Sequence, residues 1–328
     1  MKANWSSSLL ITIGLAVLLV AAMAVAGCTD TANKNTPAVV PVSTPAAVVT
    51  AQVTIPVATP AAPIAPVQTA VPNQKQTIKI SGSTTVLPIA QKAADQYMAA
   101  HPEADIQISG GGSGVGIQMI GAKTVDVGMS SREVTKDEMK LYPSFVITPV
   151  AQDGVAVIVN PANTIQYITL DQLNGIYLGK ITKWSQITGA NVPNTNNQIV
   201  VVGRDSASGT RTYFDQTVLG TATATNTMLE KNSNGAVSQT VAQTPGAIGY
   251  VSIGFVSNDV KALPIWYNFQ KIIAPTVSNV KDLSYPMSRN LYVITNGKPS
   301  GLTGDFIKYI LSPDGQKIVV DEGYVTLN

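Results

Sequence analysis

Three turns of similar composition, each predicted to join a strand to a helix, constrain this chain more than any other feature. Short segments at 77–80 and 104–108, in which polar and apolar residues alternate, and an apolar run at 198–202 precede the turns and predict strands. Periodic apolar residues after the turns predict helices. Such turns converge at the carboxyl ends of the strands in an open α/β sheet. We therefore expect an α/β fold in which three segments meet: Ser81-Gly82-Ser83-Thr84-Thr85, Ser109-Gly110-Gly111-Gly112-Ser113-Gly114 and Arg204-Asp205-Ser206-Ala207-Ser208-Gly209-Thr210.

The residue types in these turns indicate an oxyanion ligand. The first backbone N–H groups of a helix have no partner within the helix, and the positive end of the helix dipole lies beside them. Ser and Thr add hydroxyl donors, and Arg204 adds a planar, permanently charged group. A Ser or Thr before a helix is also the usual N-cap, so one turn alone indicates little. Three such turns together indicate one shared ligand.

The amino terminus has the pattern of an export signal. An apolar stretch, Leu9 to Ala26, ends in Val25-Ala26-Gly27-Cys28, which predicts a signal peptide over 1–28 with Cys28 as a lipidated first residue of the mature protein. A plain transmembrane anchor is the alternative, because its length also fits. Residues 29–76 are rich in Pro, Ala and Thr and nearly uncharged, which predicts an extended tether. We expect an extracytoplasmic protein tethered to the outer face of the cell membrane.

Composition excludes several classes of function. The formal net charge is only +2 and basic residues do not cluster, so nucleic acid is not expected as a partner. The chain has one histidine, His101, one cysteine and no cluster of carboxylates, so neither a metal site nor a cofactor is expected. A Ser/His/Asp triad would have to use His101, which is predicted to lie on the surface at a helix end, so we do not expect an enzyme. The expected oligomeric state is a monomer.

The remaining pattern predicts two lobes. The run 145–159 reads as two buried strands broken by Asp153-Gly154, with a hinge over 153–157. The strand after Thr244-Pro245-Gly246 is interpreted as the return crossover. We predict one lobe from 77–155 and 253–328 and a second from 156–252, joined by a two-stranded hinge and separated by a cleft that can close on a ligand.

These motifs as a set resemble the PstS family, the extracytoplasmic phosphate-binding proteins of ABC-type uptake systems. The resemblance covers 77–328 and rests on Ser81-Gly82-Ser83-Thr84-Thr85 with Pro88, Gly111-Gly112-Ser113-Gly114, Val125 to Arg132, and Arg204 with Ser208-Gly209-Thr210. It implies a type II periplasmic-binding-protein fold, inorganic phosphate as ligand and a membrane permease as partner. Within these motifs the phosphate contacts are expected at Ser83, Thr84, Thr85, Ser113, Ser131, Arg204, Ser208, Gly209 and Thr210.

One position departs from the family pattern. Some members carry an aspartate that accepts the proton of phosphate and so rejects sulfate, and Ser131 stands there in this chain. A serine accepts as well as donates, but it does not repel sulfate by charge. Asp153 is the first candidate for a replacement carboxylate and Asp205 the second, although Asp153-Gly154 is also an ordinary turn sequence. Arg132 is either a direct ligand or a charge that holds a wall of the site through a carboxylate.

Three alternatives stay open. A receptor for sulfate, molybdate or tungstate would use a similar donor-rich cleft. A hydrolase would use Ser113 or Ser208 as its nucleophile. A surface protein without a transport role would fit the lipid anchor and the tether, but would not explain three anion-binding turns.

Overall fold

The computed structural model describes residues 75–193, 195–268 and 270–327. The predicted signal peptide, Cys28 and all but the last two residues of the predicted tether lie outside these ranges. Within them, no helix is both long and apolar enough to cross a membrane.

Strands and helices alternate through the first part of the described chain, as the apolar periodicity predicts. In β1 the side chains of Ile78 and Ile80 are buried while Thr77 and Lys79 are exposed, the alternation typical of a strand. The elements are β1 (Gln76–Gly82), α1 (Leu87–Ala100), β2 (Ala104–Ser109), α2 (Ser113–Gly121), β3 (Val127–Ser130) and α3 (Lys136–Leu141).

The segment expected to hold two strands is one continuous strand, β4 (Phe145–Val159). The predicted break at Asp153-Gly154 is therefore wrong. Gly154 has no room for a side chain, because a Cβ there would lie 2.6 Å from a methyl group of Val280. The glycine permits close packing within a strand here and does not form a turn.

The second part of the chain contributes further strands and helices. They are β5 (Ile168–Thr169), α4 (Leu170–Tyr177), β6 (Val200–Arg204), α5 (Gly209–Phe214), β7 (Leu229–Lys231), α6 (Asn234–Gln243), β8 (Ala247–Ser252), β9 (Lys261–Leu263), β10 (Ile265–Tyr267), β11 (Lys271–Ile273) and α7 (Val277–Lys281). The chain ends with β12 (Ser288–Asn296), α8 (Gly301–Leu311) and α9 (Pro313–Asp321).

Strand β4 belongs to the sheets of both lobes. The strand order is β2-β1-β3-β12-β4-β8-β6-β7, with β9 also paired to β4. The first part of β4 pairs with β12, from Phe145 to Gly154, and the remainder pairs with β8 and β9. Strand β12 runs antiparallel to both of its neighbours, whereas β1, β2 and β3 are parallel.

The chain returns to the first lobe later than the predicted boundary at residue 253. Strand β8 pairs with β4 and β6 inside the second lobe, and β9 pairs with the end of β4. Strand β10 pairs with β5 and β11 in a separate small sheet. The return therefore comes at β12, where the N–H of Val155 donates to the carbonyl of Met287 at 2.9 Å. The two crossing segments lie side by side there.

Helices cover both faces of the first lobe's sheet. One apolar cluster joins that sheet to α1, α8 and α9, and a smaller one packs α2 against it. The largest cluster fills the second lobe around Trp184, Tyr177, Phe214 and Tyr250. The rings of Phe214 and Tyr250 stack with their centroids 4.0 Å apart. Because both lobes have a core of their own, the turns between them are free to carry polar groups.

Candidate functional site

The three predicted turns meet where the two lobes face each other. The N–H of Gly112 donates to the carbonyl of Gly82 at 2.9 Å, which joins the first two turns. The N–H of Gly114 donates to the carbonyl of Ala207 at 2.9 Å, which joins the second turn to the third across the cleft. Gly112 has φ +97°, and a Cβ there would lie 2.6 Å from the Ala207 oxygen. Only glycine permits this approach without strain.

Hydroxyl groups from two of the turns form a connected cluster. Thr85 Oγ1 lies 3.2 Å from Thr210 Oγ1. The side-chain amide of Asn234, at the start of α6, donates to Thr85 Oγ1 at 2.9 Å and reaches Thr84 Oγ1 at 3.5 Å. Thr85, Thr210 and Asn234 are at most 1% exposed. The cluster therefore contains residues from both lobes.

Arg204 ends β6 and points into this cluster. Its guanidinium donates to the carbonyls of Lys231 and Asn232 and to Thr84 Oγ1, at 3.1, 3.2 and 3.2 Å. The residue is 1% exposed, and its Nη1 is buried without a hydrogen-bond partner among the described residues. Burial lowers the pKa of Arg204. The charge of Asp205 offsets part of this effect, but the hydrogen bonds of the guanidinium go to neutral groups only, which is costly for a buried cation unless an anion completes its shell.

A second pair of hydroxyls lies at the junction of the second and third turns. Ser113 Oγ accepts a hydrogen bond from the N–H of Ser131 at 3.0 Å and lies 3.3 Å from Ser131 Oγ. Both serines are buried. A Cβ at Gly209 would lie 2.9 Å from Ser131 Oγ and still closer to Ser113 Oγ. The bare glycine thus lets the start of α5 approach both hydroxyls.

Two predicted serines hold the turns in shape. Ser83 Oγ accepts from the N–H groups of Thr85 and Val86 at 3.2 and 3.4 Å. Ser208 is the N-cap of α5, and its Oγ accepts from the N–H of Arg211 at 3.2 Å. Both side chains satisfy backbone donors that the helix starts leave unpaired.

Arg132 forms an ion pair with Glu138. Its Nη1 and Nη2 donate to the two carboxylate oxygens at 2.8 and 2.7 Å. Burial would raise the pKa of Glu138, but the hydrogen bonds from Arg132 and Thr135 outweigh that effect and lower it. Glu138 also completes the capping box of α3 with Thr135. Of the two roles left open for Arg132, this geometry corresponds to the second, a charge that holds a wall of the site through a carboxylate.

Asp153 pairs with an arginine that the sequence pattern does not single out, Arg289. Nε and Nη2 of Arg289 donate to Asp153 Oδ2 at 2.9 and 2.7 Å, and the two residues are cross-strand neighbours on β12 and β4. Asp153 Oδ1 accepts from Ser252 Oγ at 2.6 Å and from the N–H of Ile253 at 3.2 Å. The carboxylate is fully buried. Asp205, the second candidate, accepts from the N–H of Ala207 at 3.0 Å.

Arg289 and Asn234 carry weak signals in the sequence. Arg289 comes two residues before the apolar run Leu291-Tyr292-Val293-Ile294, and a charge at the edge of a buried strand usually has a specific partner. Asn234 follows the cap Ser233 and could be mistaken for part of the cap. The described ranges contain no group of three or more His, Cys, Asp or Glu residues that could hold a metal ion.

Comparison with known proteins supports the resemblance to the PstS family. Residues 67–314 match the model of the PBP superfamily domain. The phosphate-binding protein PstS of Bacillus subtilis is 34% identical over 251 residues, which cover 76% of this chain and 80% of the relative. The protein of that name from Pseudomonas aeruginosa strain PAO1 is 27% identical over 290 residues, covering 80% and 89%.

Two solved structures share the architecture. A protein from Clostridium perfringens, described as a phosphate ABC transporter substrate-binding protein with bound phosphate, superposes with a TM-score of 0.71 at 31% identity. The alignment covers 77% of this chain and all of that one. A receptor of ABC-type phosphate transport from Vibrio cholerae gives 0.62 at 33% identity, covering 76% and 99%. The expected α/β fold is confirmed, and the chain belongs to the PBP superfamily and, within it, to the family of the proteins named PstS.

Proposed function

We propose that this protein captures inorganic phosphate between its two lobes and delivers it to the permease of an ABC transporter. Arg204 is the observation that carries the proposal, because its buried guanidinium faces hydroxyls and carbonyls, with one nitrogen unpartnered among the described residues. A phosphate oxygen would supply the missing acceptor. The names of the relatives, and the phosphate in the Clostridium structure, support the same ligand.

The proposed phosphate contacts fall into three sets. Thr84, Thr85 and Thr210 offer hydroxyls, Ser113 and Ser131 offer a second hydroxyl pair, and Arg204 offers the charge. The N–H groups at the starts of the turns, including that of Gly209, complete the donors, while Ser83 and Ser208 support the turns through their caps. Arg132 supports a wall of the site through Glu138. This assignment follows the motif positions and the contacts described above.

The expected binding energy is dominated by charge-assisted hydrogen bonds. Each contributes about 1.5–3 kcal/mol in a protein. Desolvation of phosphate and closure of the lobes offset most of the sum. A micromolar or tighter complex, at about −8 kcal/mol or below, is the expected result.

The proposed location is outside the cytoplasmic membrane, with the protein attached through lipidated Cys28 and lifted from the surface by residues 29–76. The proposal includes a monomer that binds its ligand without chemical change and needs no cofactor. The Clostridium relative's description as a substrate-binding protein supports binding rather than catalysis.

Calorimetric titration with phosphate tests the proposal, after unfolding and refolding to remove any carried-over ligand. Sulfate, molybdate and tungstate serve as parallel titrants. One-to-one phosphate binding, at least tenfold tighter than that of the other three anions, is the expected result. Sulfate or molybdate binding in the absence of phosphate binding would replace phosphate with another oxyanion.

Sulfate is the competing anion for which the surroundings of Asp153 matter most, because sulfate carries no proton that a carboxylate could accept. Asp153, the proposed replacement for the family aspartate, already accepts four hydrogen bonds from protein groups. A carboxylate offers about four acceptor positions, so Asp153 has none left for a phosphate proton. A hydroxyl, with Ser131 Oγ as the first choice, would have to accept that proton.

A further inference from the structure

We propose that Arg289, held by Asp153, is a second cationic ligand of the oxyanion. The inference rests on the proposed function and adds a charged group from a strand that contains none of the motifs quoted above. Arg289 is on β12 beside the crossing between the lobes. Its side chain is 3% exposed, so its charge acts on its neighbours with little screening by water.

The guanidinium of Arg289 contacts the same hydroxyl cluster as Arg204. Its Nη2 donates to Thr210 Oγ1 at 3.0 Å and lies 3.5 Å from Thr85 Oγ1. Arg204 reaches the cluster through Thr84. In each of the two arginines Nη1 is buried and has no partner among the described residues. An oxyanion among these hydroxyls would provide acceptors for both nitrogens.

The threonine hydroxyls are arranged as donors toward the cleft. Thr84 and Thr85 accept from Asn234, and Thr210 accepts from Arg289. A hydroxyl that accepts in this way keeps its own proton for another partner, although one proton of the Thr85 and Thr210 pair can be shared between these two hydroxyls. The centre of the cluster therefore presents hydroxyl protons and two guanidinium groups, one of them paired with Asp153, an environment that favours an oxygen-rich anion.

Asp153 acts as a positioning residue in this scheme. It fixes two nitrogens of Arg289 through Oδ2, while Ser252 and Ile253 hold Oδ1. Ser252 ends β8 of the second lobe, whereas β12 and the first part of β4 belong to the first. The ion pair thus orients the guanidinium at the place where the lobes join.

The two tyrosines packed nearest to Arg289 are neutral near neutral pH. The ring of Tyr213 lies 5.5 Å from the guanidinium carbon, and burial raises the pKa of Tyr213 and also that of Tyr324. Arg204 faces it across the hydroxyls. On its open side Arg289 lines a cavity that also carries Arg132, Glu133 and Lys136. The ionisation of phosphate itself is therefore the main source of pH dependence between about pH 5 and about pH 8, where a phosphate group loses its second proton.

The test removes the arginine without leaving an unpaired buried charge. The double variant Asp153→Asn/Arg289→Gln replaces the ion pair by neutral groups, because a single Arg289 change would strand the carboxylate. Arg289→Lys keeps the charge, and Lys308→Gln, which removes a positive charge paired with Asp305 on the exposed face of α8, is the control. Phosphate affinity is measured for each protein by calorimetry at about pH 5 and about pH 8, with melting temperatures recorded alongside.

A direct charged ligand acts more strongly on the dianion than on the monoanion. We expect the double variant to lose about tenfold to a hundredfold in phosphate affinity at about pH 8, and clearly less at about pH 5. Arg289→Lys should retain most of the pH dependence, and Lys308→Gln all of it. Equal losses at both pH values would show that the pair only braces the hinge, and an unchanged affinity would equally overturn the proposal. Absence of phosphate binding by the unaltered protein would instead overturn the proposed function.

Discussion

At the scale of single residues, Thr210 links the parts of the site. Its hydroxyl accepts from Arg289 and lies within hydrogen-bond distance of Thr85, which belongs to the other lobe. In the proposed complex, a hydroxyl in this position contributes twice, through its own bond to phosphate and by holding the Arg289 guanidinium in place. Its loss should therefore affect binding more than stability.

Thr210→Val tests this role, because valine keeps the shape and removes the oxygen. We expect phosphate affinity to fall about tenfold, the size of one hydrogen bond to a charged ligand. The control is Thr212→Val on the same helix, where the hydroxyl donates to the carbonyl of Ser208 at 3.2 Å. Calorimetric titration with phosphate compares the two variants, and equal phosphate affinities would contradict the role assigned to Thr210.

The roles of residues in the turns could be predicted from the sequence, whereas the pairing of residues that are distant in the chain could not. Arg204 stands out because it adjoins a turn of small hydroxyl residues. Arg289 lies inside a strand, and its partner Asp153 is 136 residues away. Nothing in the local pattern around either residue indicates that pairing, which the strand register alone creates.

At the scale of elements, the close approach of the second and third turns depends on missing side chains. Gly112 and Gly114 both face Ala207 across the cleft. The hydrogen bond from the N–H of Gly114 to the Ala207 carbonyl, 2.9 Å long, joins the two lobes at this point. A side chain at Gly112 would keep the turns apart.

Gly112→Ala should therefore weaken phosphate binding by about tenfold or more through faster dissociation. The expected cause is a closed state made less favourable by the contact with Ala207, in addition to the strain of φ +97°. Gly297→Ala is the matched control, because Gly297 has φ +92° and no atom lies within 4 Å of the position that a Cβ would take there. Stopped-flow dissociation rates compare the two, and equal effects would attribute the loss to backbone strain alone.

Hydrophobic periodicity predicted the helices and strands better than turn-forming dipeptides did. The alternation in β1 and the stripe on α1 correctly indicate a strand and a helix. Asp153-Gly154 is a common turn sequence, but here it lies within a strand. Asp153 is paired with Arg289, and Gly154 packs closely against Val280. The short strands β9, β10 and β11 have three residues each, too few for a periodic signal, so the return to the first lobe is predicted too early.

At the scale of the whole molecule, the proposed anchor and tether determine where the protein works. Cys28→Ala should abolish the incorporation of labelled fatty acid into the protein, because lipidation needs the thiol. Phosphate affinity should stay the same. Fatty-acid labelling of the unaltered protein distinguishes the two interpretations of the amino terminus, since a plain transmembrane anchor would carry no label.

The central claim is that Arg204 is the charge on which phosphate binding depends. The most direct measurement is a phosphate titration of Arg204→Gln beside Lys308→Gln, which removes an exposed positive charge on α8, with the fold of each verified by circular dichroism. We predict that Arg204→Gln loses at least about a hundredfold in affinity, at the upper end of a charged hydrogen bond, while Lys308→Gln changes by less than about threefold. Phosphate binding by a folded Arg204→Gln protein with unchanged affinity would contradict the account.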